Sequence, residues 1–204
     1  RRHTSCSRDW SSDVCSSDLG FPDQPCYLSL DKSGRFIFTA NIRGDSISSF
    51  SLNEDGSLNN LIQSLLIKPS AKAFRAHCVR VSPDNKFLYV ADIAGKRICR
   101  LKFNEADGSM VYDGDISSKN FIGPRHFIFG PLGKYGYLMN QMGGAVTVFK
   151  YHSEGGALEE IQHISSLLKD YKGKNHSAEI LIHPSGKFLY CSNRGPDSIT
   201  LFKR

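Results

Sequence analysis

With 204 residues, 40% of them apolar and 23% charged, the chain has material for one or two packed domains of a soluble type. No apolar run approaches the roughly 18–20 residues a helical membrane span needs, so a membrane-spanning helix is not expected. The net charge of +6 comes without a long Lys/Arg block, so a basic surface or a seat for a small anion explains it better than nucleic-acid binding.

Residues 8–19, "RDWSSDVCSSDL", lack periodicity and lack the apolar core of a signal peptide. One reverse translation of them reads as a sequencing-library adapter. Residues 1–19 are therefore set aside as adapter-derived or disordered, and residues 20–204 are taken as the folded unit. The six cysteines, Cys6, Cys15, Cys26, Cys78, Cys99 and Cys191, show neither a C-x-x-C pair nor clustering. Cys78, Cys99 and Cys191 sit in apolar, strand-like contexts and read as reduced buried thiols, which points to the cytoplasm.

Short strands separated by turns follow. A strand over residues 77–81 meets a Ser-Pro-Asp-Asn turn, a second covers 87–91 and a third 97–103. "NEADG" then turns the chain, and a weaker strand starts near Met110. Aromatic and β-branched residues within the runs, and Gly, Asn and Asp at the breaks, are strand chemistry.

This pattern recurs. "DKSGRFIFTANIRGDSISSFSLNEDG" from Asp31, "SPDNKFLYVADIAGKRICRLKFNEADG" from Ser82, "GPLGKYGYLMNQMGGAVTVFKYHSEGG" from Gly130 and "HPSGKFLYCSNRGPDSITLFKR" from His183 align on Gly34, Asn85, Gly133 and Gly186. Those residues are 51, 48 and 53 positions apart. A period near 50 residues marks a repeat architecture, and four short antiparallel strands per period make one propeller blade. "GALEEIQHISSLL" has some helical periodicity, but it occupies the place of "GSLNNLIQSLL" and is assigned as a fourth strand. The fold predicted is all-β, a propeller of four-stranded antiparallel blades, present as an incomplete fragment of about four blades.

Registered on the turn residues, the start of each first strand falls at Cys26, His77, Arg125 and Ala178, followed by Tyr27, Cys78, His126 and Glu179. The residue beyond each second strand is Ile42, Ile93, Gln141 or Arg194. The two strands form a hairpin, so these positions share one rim, and the first strand lines the central channel. His77, Arg125, Gln141 and Arg194 are thus the candidate site. Structural needs repeat with the blade, whereas these positions differ between blades. Asn41, Asp92, Asn140 and Asn193 do recur and are assigned to turn capping. His152 and His163 fall on outer strands and read as surface groups.

"HPSGKFLYCSNRGPDSITLF", "GPRH" and "AHCVRVSPDNKFLYVAD" resemble the seven-bladed propeller lactonases, the bacterial-type 6-phosphogluconolactonase family, with carboxymuconate-lactonizing enzymes as relatives. The resemblance implies a seven-bladed ring of which about half is here. It also implies hydrolysis of 6-phosphogluconolactone in the pentose phosphate route, without a metal or other cofactor. By position, His77 matches the family's candidate catalytic histidine, and Arg125 and Arg194 match the arginines of "G-P-R-H" and "S-N-R-G". The family's Glu falls on Gln141, and Tyr27 replaces a common His. His126 and Glu179 are assigned to substrate binding. The expected partner is a small anionic sugar lactone, with neither nucleic acid nor membrane. A non-catalytic or sugar-binding propeller and a carboxymuconate cycloisomerase are the alternatives.

Overall fold

The computed structural model of the chain describes residues 24–67 and 74–203. The expectations for residues 1–19, including Cys6 and Cys15, lie outside the described residues. Among the described residues fifteen strands form four blades. The first holds β1 (Pro25–Leu30), β2 (Phe36–Asn41), β3 (Ser46–Leu52) and β4 (Leu58–Leu66). The second holds β5 (Ala76–Val81), β6 (Phe87–Asp92), β7 (Arg97–Phe103) and β8 (Met110–Ser117). The third holds β9 (Pro124–Phe129), β10 (Tyr135–Asn140), β11 (Ala145–His152) and β12 (Ala157–Ser165), and the fourth β13 (Ser177–Ile182), β14 (Phe188–Asn193) and β15 (Ser198–Lys203).

Each blade is an antiparallel sheet with its strands in chain order, four-stranded in the first three and three-stranded in the fourth. The first strands β1, β5, β9 and β13 lie against one another in succession, which places them innermost. The predicted all-β propeller is the architecture found. The segment with helical periodicity forms strand β12, and β8 starts at Met110. Among the described residues no helix is long and apolar enough to cross a membrane.

Turn chemistry explains the repeat. Gly34, Asn85, Gly133 and Gly186 all adopt positive φ, 63–71°, between the first and second strands. Glycine takes that left-handed conformation without steric cost and asparagine at little cost, so the alignment residues are those the turn demands. The recurrent polar residues brace the next turn from inside. Asn41 donates to the hydroxyls of Ser46 and Ser48, and Asn140 to the Thr147 hydroxyl and the Ala145 carbonyl. Asp92 accepts from the amides of Arg75 and Gly95, while Asn193 accepts from the Ser166 and Ser177 hydroxyls. All four are buried, so each is both a capping group and a satisfied core polar group.

Apolar seams join the blades in pairs. Phe38, Phe74 and Val90 belong to the seam between the first and second blades, Tyr89, Phe127 and Phe149 to the next, and Met139, Ile180 and Cys191 to the last. Each large side chain buried there contributes about 1.5–3 kcal/mol. Cys78, Cys99 and Cys191 are free and buried in these seams, as their contexts predict. Burial pushes the Cys78 and Cys191 thiols up to about 12, which keeps them protonated.

Candidate active site

The first strand of every blade carries a β-bulge at its start. Pro25 pairs with Asn41 while Tyr27 pairs with Ala40, and Ala76 pairs with Asp92 while Cys78 pairs with Ala91. Pro124 pairs with Asn140 while His126 pairs with Met139. In the fourth blade the register breaks between Ser177, opposite Asn193, and Ile180, opposite Cys191. Cys26, His77 and Arg125 are therefore the extra residues of their bulges, and Ala178 lies within the fourth irregularity. The strands begin one residue earlier than the hairpin alignment places them, at Pro25, Ala76, Pro124 and Ser177. A bulge breaks the alternation of side chains, so neighbours such as Arg125 and His126 can serve one site.

The imidazoles of His77 and His126 approach to 5.1 Å between ring centroids. The edge of Tyr27, from the first blade, meets His126 at the same distance, and Arg80 lies over the Tyr27 ring. Tyr27 thus packs between the His126 imidazole and the Arg80 guanidinium. His126 Nδ1 is 2.8 Å from Glu179 Oε1 and 3.4 Å from Arg125 Nη1. Gln141 and Arg194 meet through a residue that sequence reasoning did not select. His176 Nδ1 is 3.4 Å from Gln141 Nε2, and the His176 carbonyl accepts from Arg194 Nε at 2.9 Å. The only signal for His176 is its place directly before β13. The structure thus brings all six predicted residues, from three blades, to one rim. His152 pairs with Glu159 and His163 contacts Thr147, both away from this cluster.

Electrostatics bind the cluster further. Burial, then the positive charge of Arg125, hold the His77 imidazole down at about 4, so it is neutral at neutral pH. Burial likewise lowers His126, against the opposing hydrogen bond and charge of Glu179. For Glu179 burial acts upward, but the His126 hydrogen bond and charge, with the Ile180 amide and Arg125, outweigh it and keep the carboxylate ionised. Arg125 is lowered by burial and by the neighbouring Arg194. Two guanidinium groups sharing a rim with one carboxylate form a seat for an anion. Three buried nitrogens there, His77 Nδ1, Arg125 Nε and His126 Nε2, have no hydrogen-bond partner on the protein. Buried polar groups are rarely left without a partner, so three of them near one rim set this cluster apart from the satisfied Asn and Asp groups of the turns.

Fold and site together define a propeller with a cationic, imidazole-bearing channel mouth. The chain belongs to the seven-bladed β-propeller lactonase family, whose sequence model matches residues 8–204. It is 34% identical over 189 residues to a 6-phosphogluconolactonase of Formosa agariphila, covering 87% of this chain and 53% of that protein. A 6-phosphogluconolactonase of Bacillus subtilis is 28% identical over 184 residues, covering 88% of this chain and 52% of the relative. Among solved structures, the periplasmic gluconolactonase of Pseudomonas aeruginosa superposes with a TM-score of 0.76 at 26% identity, over 90% of this chain and 54% of that one. A protein from Lactobacillus plantarum gives 0.78 at 25% identity, over 88% and 53%. The chain spans about half the length of the curated relatives it matches.

Proposed function

We propose that the protein carrying these blades hydrolyses a phosphorylated sugar lactone, 6-phosphogluconolactone, to the open acid of the pentose phosphate route. The observation that carries this reading is a neutral imidazole, His77, under the charge of Arg125 and Arg194 at one rim. His77 takes a proton from water as the water oxygen bonds to the lactone carbonyl carbon. The negative charge moves to the carbonyl oxygen, where one arginine stabilises it, while the other holds the phosphate. Collapse breaks the ring C–O bond, and the imidazolium returns its proton to the departing alkoxide. Gln141 orients water or a sugar hydroxyl, since an amide cannot take a proton. No cofactor enters this scheme. The free, buried thiols support a reducing, cytoplasmic setting.

The amide at position 141 favours one competing reading, a sugar-binding propeller without turnover. Lactone loss by the full-length protein, corrected for spontaneous hydrolysis, separates the two. His77→Ala lowers kcat by about 10²–10⁴-fold, and Arg125→Ala chiefly raises KM. Gln141→Glu, which restores a carboxylate, raises kcat by on the order of 10²-fold. Lactone loss no faster than the spontaneous rate, in the wild type and in all three variants, leaves the binding protein as the answer.

A further inference from the structure

The connection that leads into the fourth blade is longer than the one before it. Residues 166–176 join β12 to β13, where residues 118–123 suffice between β8 and β9. Each ends where a first strand begins, so both reach the rim of the candidate site. The longer one carries Lys169, Lys172 and Lys174, all exposed and none in an ion pair among the described residues. Asp170 is its one acidic residue. The connection is pinned to the turn after β14. Tyr171 Oη donates to the Lys174 carbonyl at 2.9 Å, and the Gly195 amide donates to Asn175 Oδ1 at 3.2 Å. A Cβ at Gly195 would collide with the Lys174 carbonyl oxygen, so glycine lets the two segments lie this close.

His176, at the end of this connection, is held between two groups of the site. Its carbonyl accepts from Arg194 Nε at 2.9 Å, which fixes that guanidinium at the rim. Its Nδ1 lies 3.4 Å from Gln141 Nε2, a group that only donates, so Nδ1 accepts and Nε2 carries the hydrogen. Unlike the buried His126, His176 is exposed, and so is Arg194. A ligand can therefore reach both.

We propose that His176 is a specificity-determining residue: its imidazole donates to the phosphate of the substrate, as a second ligand beside the arginine that holds it, and so selects phosphorylated over unphosphorylated sugar lactones. This rests on the lactone-hydrolase reading. A phosphate monoester carries about −1.5 to −2 charge at neutral pH and offers three acceptor oxygens, more than one guanidinium satisfies. An exposed N–H donor supplies a further hydrogen bond, and the three lysines of the same connection raise the positive potential around it.

The test uses the full-length protein and two lactones, 6-phosphogluconolactone and gluconolactone, each corrected for spontaneous hydrolysis. The Arg194 anchor is a main-chain carbonyl, so His176→Ala removes the imidazole and leaves the anchor in place. His176→Ala raises KM for the phosphorylated lactone by about 10-fold, while KM for gluconolactone and both kcat values change less than about twofold. His176→Gln, which keeps a side-chain N–H, recovers part of the loss. Titration calorimetry with the stable acids 6-phosphogluconate and gluconate reads the same contact without turnover, and His176→Ala weakens only the first. Equal rises in KM for both lactones, or none for the phosphorylated one, overturn the proposal and leave the hydrolase reading standing. A protein that opens neither lactone, yet needs His176 to bind 6-phosphogluconate and not gluconate, keeps the phosphate contact and loses the hydrolase reading.

Discussion

His77 ties charge to pH in a way that can be measured. Its folded pKa of about 4 lies below the ordinary histidine value of about 6.5, so the unfolded chain takes up the proton first as pH falls. Stability from this group is present above about pH 6.5 and is lost as pH falls toward 4. Urea midpoints measured across that window should drop, and His77→Asn, which does not titrate, should flatten the drop. His126, also lowered by burial, contributes in the same direction as pH falls below the ordinary histidine value. In kinetics the acid limb of kcat/KM should fall near pH 4, and Arg125→Gln should move it upward by removing a positive neighbour. His77, Arg125, Gln141 and Arg194 were legible in the sequence because a hairpin forces its strand start and its partner's end to one rim. The His126–Glu179 contact was not, because it joins residues 53 positions apart on separate sheets. His176 was missed because it stands outside the strand, so neither alignment nor alternation marks it.

At the scale of the element, the first turn of each blade fixes register, and its glycines are not equivalent. A Cβ at Gly34 (φ 71°) would meet nothing, whereas one at Gly133 (φ 69°) would lie 2.6 Å from Pro83 Cβ of the neighbouring blade. Gly34→Ala should therefore cost about 1–2 kcal/mol, from the left-handed conformation alone. Gly133→Ala should cost a further 1–3 kcal/mol or so, because a rigid ring atom must move. Urea unfolding of the two variants measures the difference, and equal losses would show that the seam yields freely at Pro83. Strand number and order were readable from the 50-residue period and the Gly and Asn turns. The bulges were not: a single inserted residue beside Tyr27 or Cys78 leaves the surrounding apolar pattern intact, so the alignment started each first strand one position late.

Across the whole molecule, each blade contacts its neighbours through an apolar seam, and the outward faces of the first and fourth blades expose residues of the same kind. Leu28 and Leu30 are 62% and 52% exposed on one, and Leu181, Ile199 and Leu201 are 56%, 72% and 54% exposed on the other. Contiguous apolar surface on a sheet face promotes association. The 204-residue chain expressed alone should sediment as concentration-dependent oligomers, and Ile199→Lys with Leu201→Lys should shift it toward monomer. A monodisperse monomer at high concentration would show that these faces are inert. The bulge has a broader consequence at this scale. Its extra residue has no partner across the hairpin, so the ladder is indifferent to what occupies it. In the four blades this position already holds a thiol, an imidazole, a guanidinium and a methyl group, in Cys26, His77, Arg125 and Ala178, on one unchanged backbone plan. The channel mouth is a row of sockets, and its chemistry can be rewritten one blade at a time while the scaffold stays the same.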